Sequence, residues 1–446
     1  MHVENIKDFT HINLKNLKSI RLPERFLEKH LQSTFGSEYY LSFGNDGLEF
    51  FDVDSIDEDA FNDFPFLTSL HLRLAKHIQV ELKHLKNLKE LCLETMLENE
   101  SSDIEENVLY FSGSFPLSLE KLSVIGFNLK LRCLSHLKNL TFLELFRIRY
   151  ILINESRPFD CFTNLKHLYI HNSTISFEAS CHVDNKVEIQ LVGQRIEEIK
   201  LKRDGFQREI DKKPKIFFEN LSQLKKLYLN AYNLYEIDVG SFKRISTLED
   251  LTILLTSFEP RDHKGLLDNF IGLRRLTLKG VKSLEENFFD NLFNLEFLDL
   301  YDNQLRRIYW HSFVNLKKLT SLNVSYNALD EIDVDAFKNL NQLVTLDLSF
   351  NRLEKLETGL FKNLTCLEKL NLEGNQLNKM GPGLFEGLKK CKILNLSSCE
   401  LVEIEVNTFE SLIELESLDL SNNNFKEIKE GTFDNTKNLK YLYLGK

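Results

Sequence analysis

A motif that recurs at a fixed step constrains the fold of this chain more than any other feature. Leucines stand 24 positions apart through the last third of the sequence: Leu298, Leu322, Leu346, Leu370, Leu394, Leu418 and Leu442. Each block follows the pattern L-x-x-L-x-L-x-x-N/C-x-L, and six consecutive blocks that keep it make the signal very specific. The step predicts a solenoid in which each coil stacks on the next.

The pattern also assigns directions to the side chains. In the Leu-x-Leu segment alternate residues point to opposite sides, so Leu298 and Leu300 point inward while Phe297, Asp299 and Tyr301 share the outer face. One coil cannot bury its own leucines, so the short strands of neighbouring coils must stack into a parallel sheet. A second inward column is predicted for the phenylalanines of the later half of each block: Phe313, Phe337, Phe361, Phe385, Phe409 and Phe433.

An asparagine column marks the turn after each strand. Its members are Asn303, Asn327, Asn351, Asn375 and Asn423, with Cys399 in the remaining place. An inward amide can satisfy backbone groups of its own coil and of the neighbouring coil, so the column is predicted to be structural.

The repeats loosen upstream of Leu298 but continue. Strand pairs are predicted at Leu70/Leu72, Leu91/Leu93, Leu122/Val124, Leu143/Leu145, Leu168/Ile170, Ile189/Leu191, Leu227/Leu229, Leu251/Ile253 and Leu276/Leu278. Two spacings between predicted strands are longer than one repeat: 31 positions from Leu91 to Leu122 and 38 from Ile189 to Leu227. The extra residues, which for the second spacing lie near 200–215, are expected to form loops outside the solenoid. Such a loop either binds a partner or is a solvated insertion that the fold tolerates. The predicted organisation is one domain, with degenerate N-terminal repeats over 1–66 and a solenoid over 67–446 that becomes regular from about 295.

These blocks resemble the typical, 24-residue class of the leucine-rich-repeat family, which is similar to the ectodomains of Toll-like receptors and other extracellular leucine-rich-repeat proteins. The resemblance implies an α/β fold, a right-handed horseshoe solenoid with a parallel β-sheet on the concave face and loops with short 3₁₀ or helical turns on the convex face. It also implies an extracellular or cell-surface setting and a protein or glycan ligand. The chain departs from the family in showing no signal peptide, cysteine-rich caps, membrane span or signalling domain.

Charge and composition narrow the function further. The net charge of −11 disfavours a dedicated nucleic-acid binder, which is normally basic. No apolar run reaches the roughly 18 residues of a membrane span, and no catalytic or phosphate-binding motif stands at a useful spacing. We therefore expect a non-enzymatic recognition module without cofactor or metal, receptor-like or adhesion-like. An intracellular scaffold for protein–protein interaction is the alternative, because no apolar signal core is visible. The absence of caps predicts a fragment, or an open edge that pairs with another chain as a homodimer.

Cysteines and glycosylation motifs bear on the compartment. The seven cysteines do not form a small-domain disulfide framework. Near-equivalent positions in neighbouring coils pair Cys161 with Cys181 and Cys366 with Cys391, either as disulfides or as buried free thiols. Among the Asn-x-Ser/Thr motifs, a glycan fits best in the outer segment before a strand, at Asn139, Asn220 and Asn363.

Two groups of residues on the predicted concave face are candidates for ligand binding. The later repeats carry a polar, acidic strip: Asp299, Tyr301, Asn323, Asp347, Asn371, Glu373 and Asp419. The middle repeats carry an apolar patch: Phe142, Phe146, Tyr169, Val192, Tyr228, Leu254 and Leu255. Because exposed aromatic clusters often mark protein contacts, we expect a protein ligand on this patch, with the acidic strip steering a basic partner. The alternatives are that a loop covers the patch or that the divergent repeats are tilted.

Overall fold

A computed structural model describes most of the second half of the chain and selected segments of the first. The described residues are 40–43, 48–53, 67–74, 82, 85–95, 115–126, 129–130, 134, 136–146, 151–153, 164–171, 175–177, 188–192, 198–202, 215–219, 223–230, 242, 245–258 and 265–445. The chain divides into two compact units, residues 1–224 and 225–446. The described part forms strands and turns without an α-helix.

Thirteen strands are described in the first unit, and most are short, as expected for strands that cross one coil each. They are β1 (Tyr40–Phe43), β2 (Leu48–Val53), β3 (Ser69–Leu74), β4 (Glu90–Thr95), β5 (Lys121–Ile125), β6 (Leu129–Lys130), β7 (Phe142–Phe146), β8 (Ile151–Ile153), β9 (His167–His171), β10 (Ile175–Phe177), β11 (Glu188–Val192), β12 (Glu198–Lys202) and β13 (Lys215–Glu219).

The main sheet of the first unit pairs β2, β3, β4, β5, β7, β9 and β12 in that order, and every pair is parallel. The strand leucines lie opposite one another, so Leu91 pairs with Leu122 across the 31-residue spacing. Residues 96–114, which hold the surplus of that spacing, lie outside the described residues, so the loop expected there stays a prediction. A smaller parallel sheet orders β6, β8 and β10.

The first strand differs from the parallel repeats expected for residues 1–66. β1 runs antiparallel to β2, with Tyr40 opposite Phe51 and Phe43 opposite Leu48. The sequence Gly-Asn-Asp-Gly that separates the two strands is a typical hairpin signal. The domain boundary at 66/67 stays a prediction.

The strand predicted at Ile189/Leu191 is present as β11, but it does not join the main sheet, and this moves Val192. Leu168 pairs with Ile199 and Ile170 with Leu201, so the ladder continues through β12. β11, which contains Ile189 and Val192, instead pairs with β13 in a separate two-stranded parallel sheet. The segments around Ile189 and Ile199 both alternate apolar residues, and the alternation alone did not distinguish them. Part of the segment 200–215, expected to loop out, therefore belongs to β12 and β13.

Fourteen strands are described in the second unit. They are β14 (Lys226–Asn230), β15 (Asp250–Phe258), β16 (Arg275–Val281), β17 (Phe297–Asp299), β18 (Arg307–Ile308), β19 (Ser321–Asn323), β20 (Glu331–Ile332), β21 (Thr345–Asp347), β22 (Lys369–Asn371), β23 (Lys379–Met380), β24 (Ile393–Asn395), β25 (Glu403–Ile404), β26 (Ser417–Asp419) and β27 (Tyr441–Tyr443). The two-residue strands β18 and β20, and β23 and β25, form separate parallel pairs beyond the Asn turn.

The main sheet of the second unit pairs β14, β15, β16, β17, β19, β21, β22, β24, β26 and β27 in parallel. Its register places each strand leucine opposite the next, and the predicted columns are confirmed: Leu298 and Leu370 are at most 1% exposed. Turns with i→i+3 hydrogen bonds close each coil, as from Leu316 N to Phe313 O at 3.1 Å. The predicted parallel-strand solenoid is therefore present.

The phenylalanine column is the deepest part of the second unit. Phe313, Phe337, Phe361, Phe385 and Phe409 are each at most 1% exposed. Their rings are almost parallel and 5.9–6.4 Å apart from coil to coil. Because each ring contacts its neighbours in both adjacent coils, the column links the stability of one coil to the next.

The side chains of the asparagine column bind backbone groups of their own coil and of the preceding coil, as predicted. Asn351 Nδ2 donates to Val324 O of the preceding coil at 3.0 Å and to Leu348 O at 3.0 Å, while Asn351 Oδ1 accepts from Leu329 N at 3.0 Å. Cys399 replaces the amide in its coil, and its Sγ donates to Leu372 O at 3.1 Å. Leu377 N, which has no amide oxygen to donate to there, donates to the backbone oxygen of Cys399 at 3.0 Å instead.

We expect Asn351→Leu to lower the free energy of unfolding by about 1–3 kcal/mol, because buried backbone groups lose their partner. Denaturant unfolding followed by circular dichroism measures the change. Asn424→Leu is the matched control, since Asn424 is exposed and only one residue beyond the column. Equal midpoints for the two variants would contradict the structural role.

Candidate functional site

Five of the seven residues of the acidic strip lie on one continuous column of the second unit, whereas Tyr301 and Glu373 each stand two residues beyond it. The register pairs Asp299 with Asn323, Asn323 with Asp347, Asp347 with Asn371, Asn371 with Asn395, and Asn395 with Asp419. All six side chains are half-buried and flank the buried strand leucines. The repeat therefore brings together, on adjacent strands, the polar residues that the sequence singled out.

Each of these side chains first serves the fold. Asp347 Oδ1 accepts from Ser349 N at 2.9 Å and from Ser349 Oγ at 2.6 Å, and Asp419 Oδ1 accepts from Ser421 N at 2.9 Å. Such bonds from residue i+2 to an Asp or Asn side chain fix the turn after the strand. The Asp-x-Ser and Asn-x-Ser spacing in the sequence is the signal for this second role, which the sequence reasoning missed.

In the acidic strip, the pKa of Asp299 departs from its ordinary value. Burial raises the pKa of Asp299, hydrogen bonds from Tyr301 N and Asn323 oppose that rise, and the like charge of Asp347 adds to it. A cation placed next to Asp299 would relieve part of this desolvation. Binding of a positive group by the strip stays a prediction.

Immediately before the asparagine column stands a column in the left-handed backbone conformation. Its φ angles lie between 50° and 69°, and its members are Asp302, Tyr326, Phe350, Gly374, Ser398 and Asn422. Gly, Asn and Asp adopt this conformation readily, whereas Tyr and Phe rarely do. Strained residues of this kind concentrate at functional positions. The sequence analysis did not single out Tyr326 or Phe350, whose signal is an aromatic residue directly before the repeat asparagine.

The apolar residues predicted in the first unit lie together. Phe142, Phe146 and Tyr169 stand on β7 and β9 and are half-buried. The rings of Phe142 and Tyr169 meet edge to face at a centroid distance of 4.9 Å. This half-exposed apolar face is a candidate contact surface of the first unit.

The other members of the predicted apolar patch are distributed differently. Tyr228 and Leu254 are half-buried on β14 and β15 of the second unit, and the side chain of Leu255 lies outside the described residues. Val192 belongs to β11, outside the main sheet, and this corrects its assignment to the predicted face. A ligand-binding role for the remaining residues stays a prediction.

Comparison with known proteins assigns the repeats. The model of the family described as leucine rich repeat matches residues 271–329, 318–377, 341–401, 367–418 and 389–446. Residues 271–446 are leucine-rich repeats. The comparison with curated proteins found no match.

Solved leucine-rich-repeat structures share the fold. The chain resembles Toll in the Toll–Spatzle complex of Drosophila with a TM-score of 0.52 and 17% identity, over 83% of this chain and 56% of that chain. TLR13 in its complex with ssRNA13 gives a TM-score of 0.47 and 20% identity, over 88% of this chain and 61% of that chain. An internalin of Listeria monocytogenes gives 0.47 and 17%, over 88% of this chain and 89% of that chain. This chain thus spans less than two thirds of the Toll and TLR13 chains.

The cysteines of the leucine-rich repeats correct one prediction. Cys366 and Cys391 form no disulfide, and both thiols are free. Cys391 occupies the buried position that Leu367 holds one coil earlier, whereas Cys366 precedes Leu367 by one residue and is half-exposed. The offset of one residue directs the two side chains differently, which a disulfide does not tolerate. Cys161 and Cys181 lie outside the described residues, so their pairing stays a prediction.

We expect Cys391 and Cys399 to resist alkylation in the native protein at pH about 8, because only the thiolate reacts. Burial raises the pKa of Cys391 to about 12 and that of Cys399 to about 11. Since both pKa values are higher in the folded chain, the thiols' contribution to stability is complete below pH about 8.5 and is lost as the pH rises through 11–12. Mass spectrometry after iodoacetamide treatment measures the labelling, with half-exposed Cys366 as the reference. Equal labelling of Cys391 and Cys366 would contradict the expectation.

The predicted glycosylation sites differ in exposure. Asn139 is exposed, and its Nδ2 donates to Leu117 O of the preceding coil at 2.8 Å. Asn363 is half-buried, and Asn220 lies outside the described residues. Other coils repeat the bond of Asn139 four residues before the strand leucine: Asn164 to Lys138 O, Asn294 to Ile271 O and Asn438 to Ile413 O. Asn139 thus has a structural role in this column, and its glycosylation stays a prediction.

The described residues contain no group of three or more His, Cys, Asp or Glu side chains that could hold a metal ion. Nor does any helix there have the length and apolar character needed to cross a membrane.

Proposed function

We propose that this chain is a non-enzymatic recognition module that binds a protein ligand on the strand face of its leucine-rich repeats, in an extracellular or cell-surface setting. Here the strand face means the outward side chains of β17, β19, β21, β22, β24 and β26. The observation that carries the proposal is the column from Asp299 to Asp419. It holds half-buried acidic and amide groups on a backbone that the asparagine column and the phenylalanine column keep rigid.

Charge indicates the kind of ligand. The chain carries a net charge of −11, its strand face offers Asp299, Asp347 and Asp419, and Glu373 follows β22 by two residues. Acidic groups in a row steer a basic partner and raise its association rate. The Toll structure was solved as a complex with Spatzle, and the proposal extends the binding of a partner protein to this chain.

Site-specific crosslinking tests the proposal. A photoreactive phenylalanine derivative is placed at Lys369, which lies on β22, and in a control at Lys389, which lies in a turn; both lysines are exposed. Each form of the full chain is irradiated with proteins of extracellular fluid. We expect a discrete crosslinked protein at Lys369 alone, lost in the variant Asp347→Lys/Asp419→Lys. Equal products at both positions, or none at Lys369, would overturn the proposal.

The cellular compartment of the protein needs a separate measurement, because an intracellular scaffold is the second candidate function. The free thiols of Cys366, Cys391 and Cys399 are compatible with that alternative. The intact mass of the protein from its source is compared before and after enzymatic removal of N-glycans. A mass decrease supports passage through the secretory pathway. An unchanged mass favours the scaffold.

A further inference from the structure

Three aromatic side chains form an exposed platform on the second unit. Tyr301, Tyr326 and Phe350 are 44%, 47% and 37% exposed. The rings of Tyr326 and Phe350 stack with centroids 4.4 Å apart, and Tyr301 meets Tyr326 edge to face at 5.2 Å. They belong to three consecutive coils; Tyr326 and Phe350 are one repeat apart, whereas Tyr301 stands one position before Asp302, the equivalent residue of its coil. We call these three residues the aromatic platform.

The backbone fixes the platform in place. Tyr326 and Phe350 have φ angles of 54° and 50°, a conformation that bulky residues rarely adopt. In the next coil the equivalent residue is Gly374, and a Cβ there would lie 2.7 Å from Cδ1 of Phe350. The absence of that Cβ leaves room for the ring of Phe350 beside Gly374. The platform is therefore preorganised, and binding to it would require little ordering of side chains.

Carboxylates stand close to the platform residues in the sequence. Asp299 is two residues from Tyr301, Asp347 is three residues from Phe350, and Glu373 directly precedes the Gly374 on which Phe350 lies. Asp302, beside Tyr301, forms an ion pair with Lys279. A group that binds here meets aromatic faces and negative charge together.

The chain already uses the contact that such a site would make. Arg275 Cζ lies 4.3 Å above the ring centroid of Phe297 on the paired strands β16 and β17. Lys338 and Arg307 lie over Trp310 and Tyr309, each at 5.5 Å. Among the described residues, no cation of this chain lies over Tyr301, Tyr326 or Phe350. The exposed parts of these rings are therefore not covered by a described cation of this chain.

We propose that the aromatic platform binds an arginine side chain of a basic protein ligand, whose guanidinium stacks on the rings while the neighbouring carboxylates neutralise its charge. Arginine fits better than lysine, because its planar guanidinium stacks on aromatic faces and is more weakly hydrated than an ammonium. This proposal rests on the proposed function and adds a chemical group of the ligand that is recognised directly beside the strand face.

Peptide binding to the full chain tests the choice of arginine. A fluorescently labelled oligoarginine peptide is titrated by anisotropy at physiological salt, in parallel with an oligolysine peptide of equal length and charge. We expect the oligoarginine peptide to bind about fivefold more tightly. The comparison at equal charge separates ring stacking from attraction by the net charge of −11.

The platform is removed by Tyr326→Asn/Phe350→Asn, which introduces the residue that the chain itself places at the equivalent Asn422 and leaves the charge unchanged. We expect the preference for arginine to disappear while the thermal unfolding midpoint is retained. The matched control is Phe293→Ala, since Phe293 is 51% exposed outside the platform, and this variant should keep the preference.

The other possible results of these experiments decide against either the arginine site or the proposed function. Equal affinity for the two peptides in the wild type, or an arginine preference that survives in the double variant, would overturn the arginine site. Competition at the platform by a neutral oligosaccharide, with no preference for arginine, would overturn it in favour of a carbohydrate. If Lys369 crosslinks a protein whose affinity is unchanged by the double variant, only this inference fails. If nothing crosslinks but the arginine preference holds, only the proposed function fails.

Discussion

Phe361→Ala should lower the free energy of unfolding by about 3–5 kcal/mol, the largest effect expected of a single substitution in the second unit. Phe361 is fully buried, and its ring lies 6.4 Å from those of Phe337 and Phe385, nearly parallel to both. Truncation leaves a cavity between three coils, and backbones held by the ladder on both sides cannot collapse into it. Denaturant unfolding followed by circular dichroism measures the loss.

Phe293→Ala is the matched control for this cavity. The same atoms are removed, but Phe293 is 51% exposed, so we expect a change below about 0.5 kcal/mol. Phe361→Leu should fall between the two, because it keeps most of the buried apolar volume. A loss for Phe361→Ala as small as that of Phe293→Ala would mean that the column does not couple the coils.

The fold of the second unit could be predicted almost residue by residue, because a solenoid uses the same local contacts in every coil. A strand leucine at one position implies a buried partner 24 residues later, and the pairing of Leu346 with Leu370 obeys this rule. The same holds for the ring contact between Phe337 and Phe361. Repetition removes the need to know long-range topology, which usually limits prediction from a sequence.

Prediction failed where the repeat length changes. Between Leu168 and Leu227 the chain offers two alternating segments, at Ile189 and at Ile199, and only the first was predicted as a strand. The ladder uses the second, and Ile189 pairs with Ile216 elsewhere. Alternation describes any half-buried strand, so it cannot tell which sheet the strand will join. The misplacement of Val192 follows directly from that ambiguity.

The candidate site could be predicted only as a list of outward positions. Strand alternation correctly placed Asp299 and Asp347 on one column, but it gives no hydrogen bonds, so the bracing of the turn at Ser349 was not foreseen. Nor does alternation extend to Tyr326 and Phe350, which follow the strands in a left-handed conformation. Their stacking depends on φ and on the glycine of the next coil, which are properties of the turn and not of the strand.

Gly387→Ala should lower the free energy of unfolding by about 2–4 kcal/mol, because two penalties combine. Gly387 has a φ of 93°, which an alanine adopts only with strain. A Cβ there would also lie 2.6 Å from the carbonyl carbon and 2.7 Å from the Cα of Lys362 in the preceding coil, and still closer to its carbonyl oxygen. These are backbone atoms, which cannot move aside as the end of a flexible side chain would. The change is measured by denaturant unfolding of the full chain.

Gly272→Ala is the control that separates the effect of the close contact from the general effect of replacing glycine with alanine. A Cβ at Gly272 would lie 3.6 Å from Leu248 O, an ordinary contact distance, and Gly272 does not have a positive φ. We therefore expect this variant to be neutral or up to about 1 kcal/mol more stable, because alanine restricts the unfolded chain. If Gly387→Ala also proved neutral, the two coils could not be as close at Lys362 as the distances above indicate. Because that approach sets the spacing of the coils that carry Phe350 and Gly374, the same result would weaken the case for a preorganised aromatic platform.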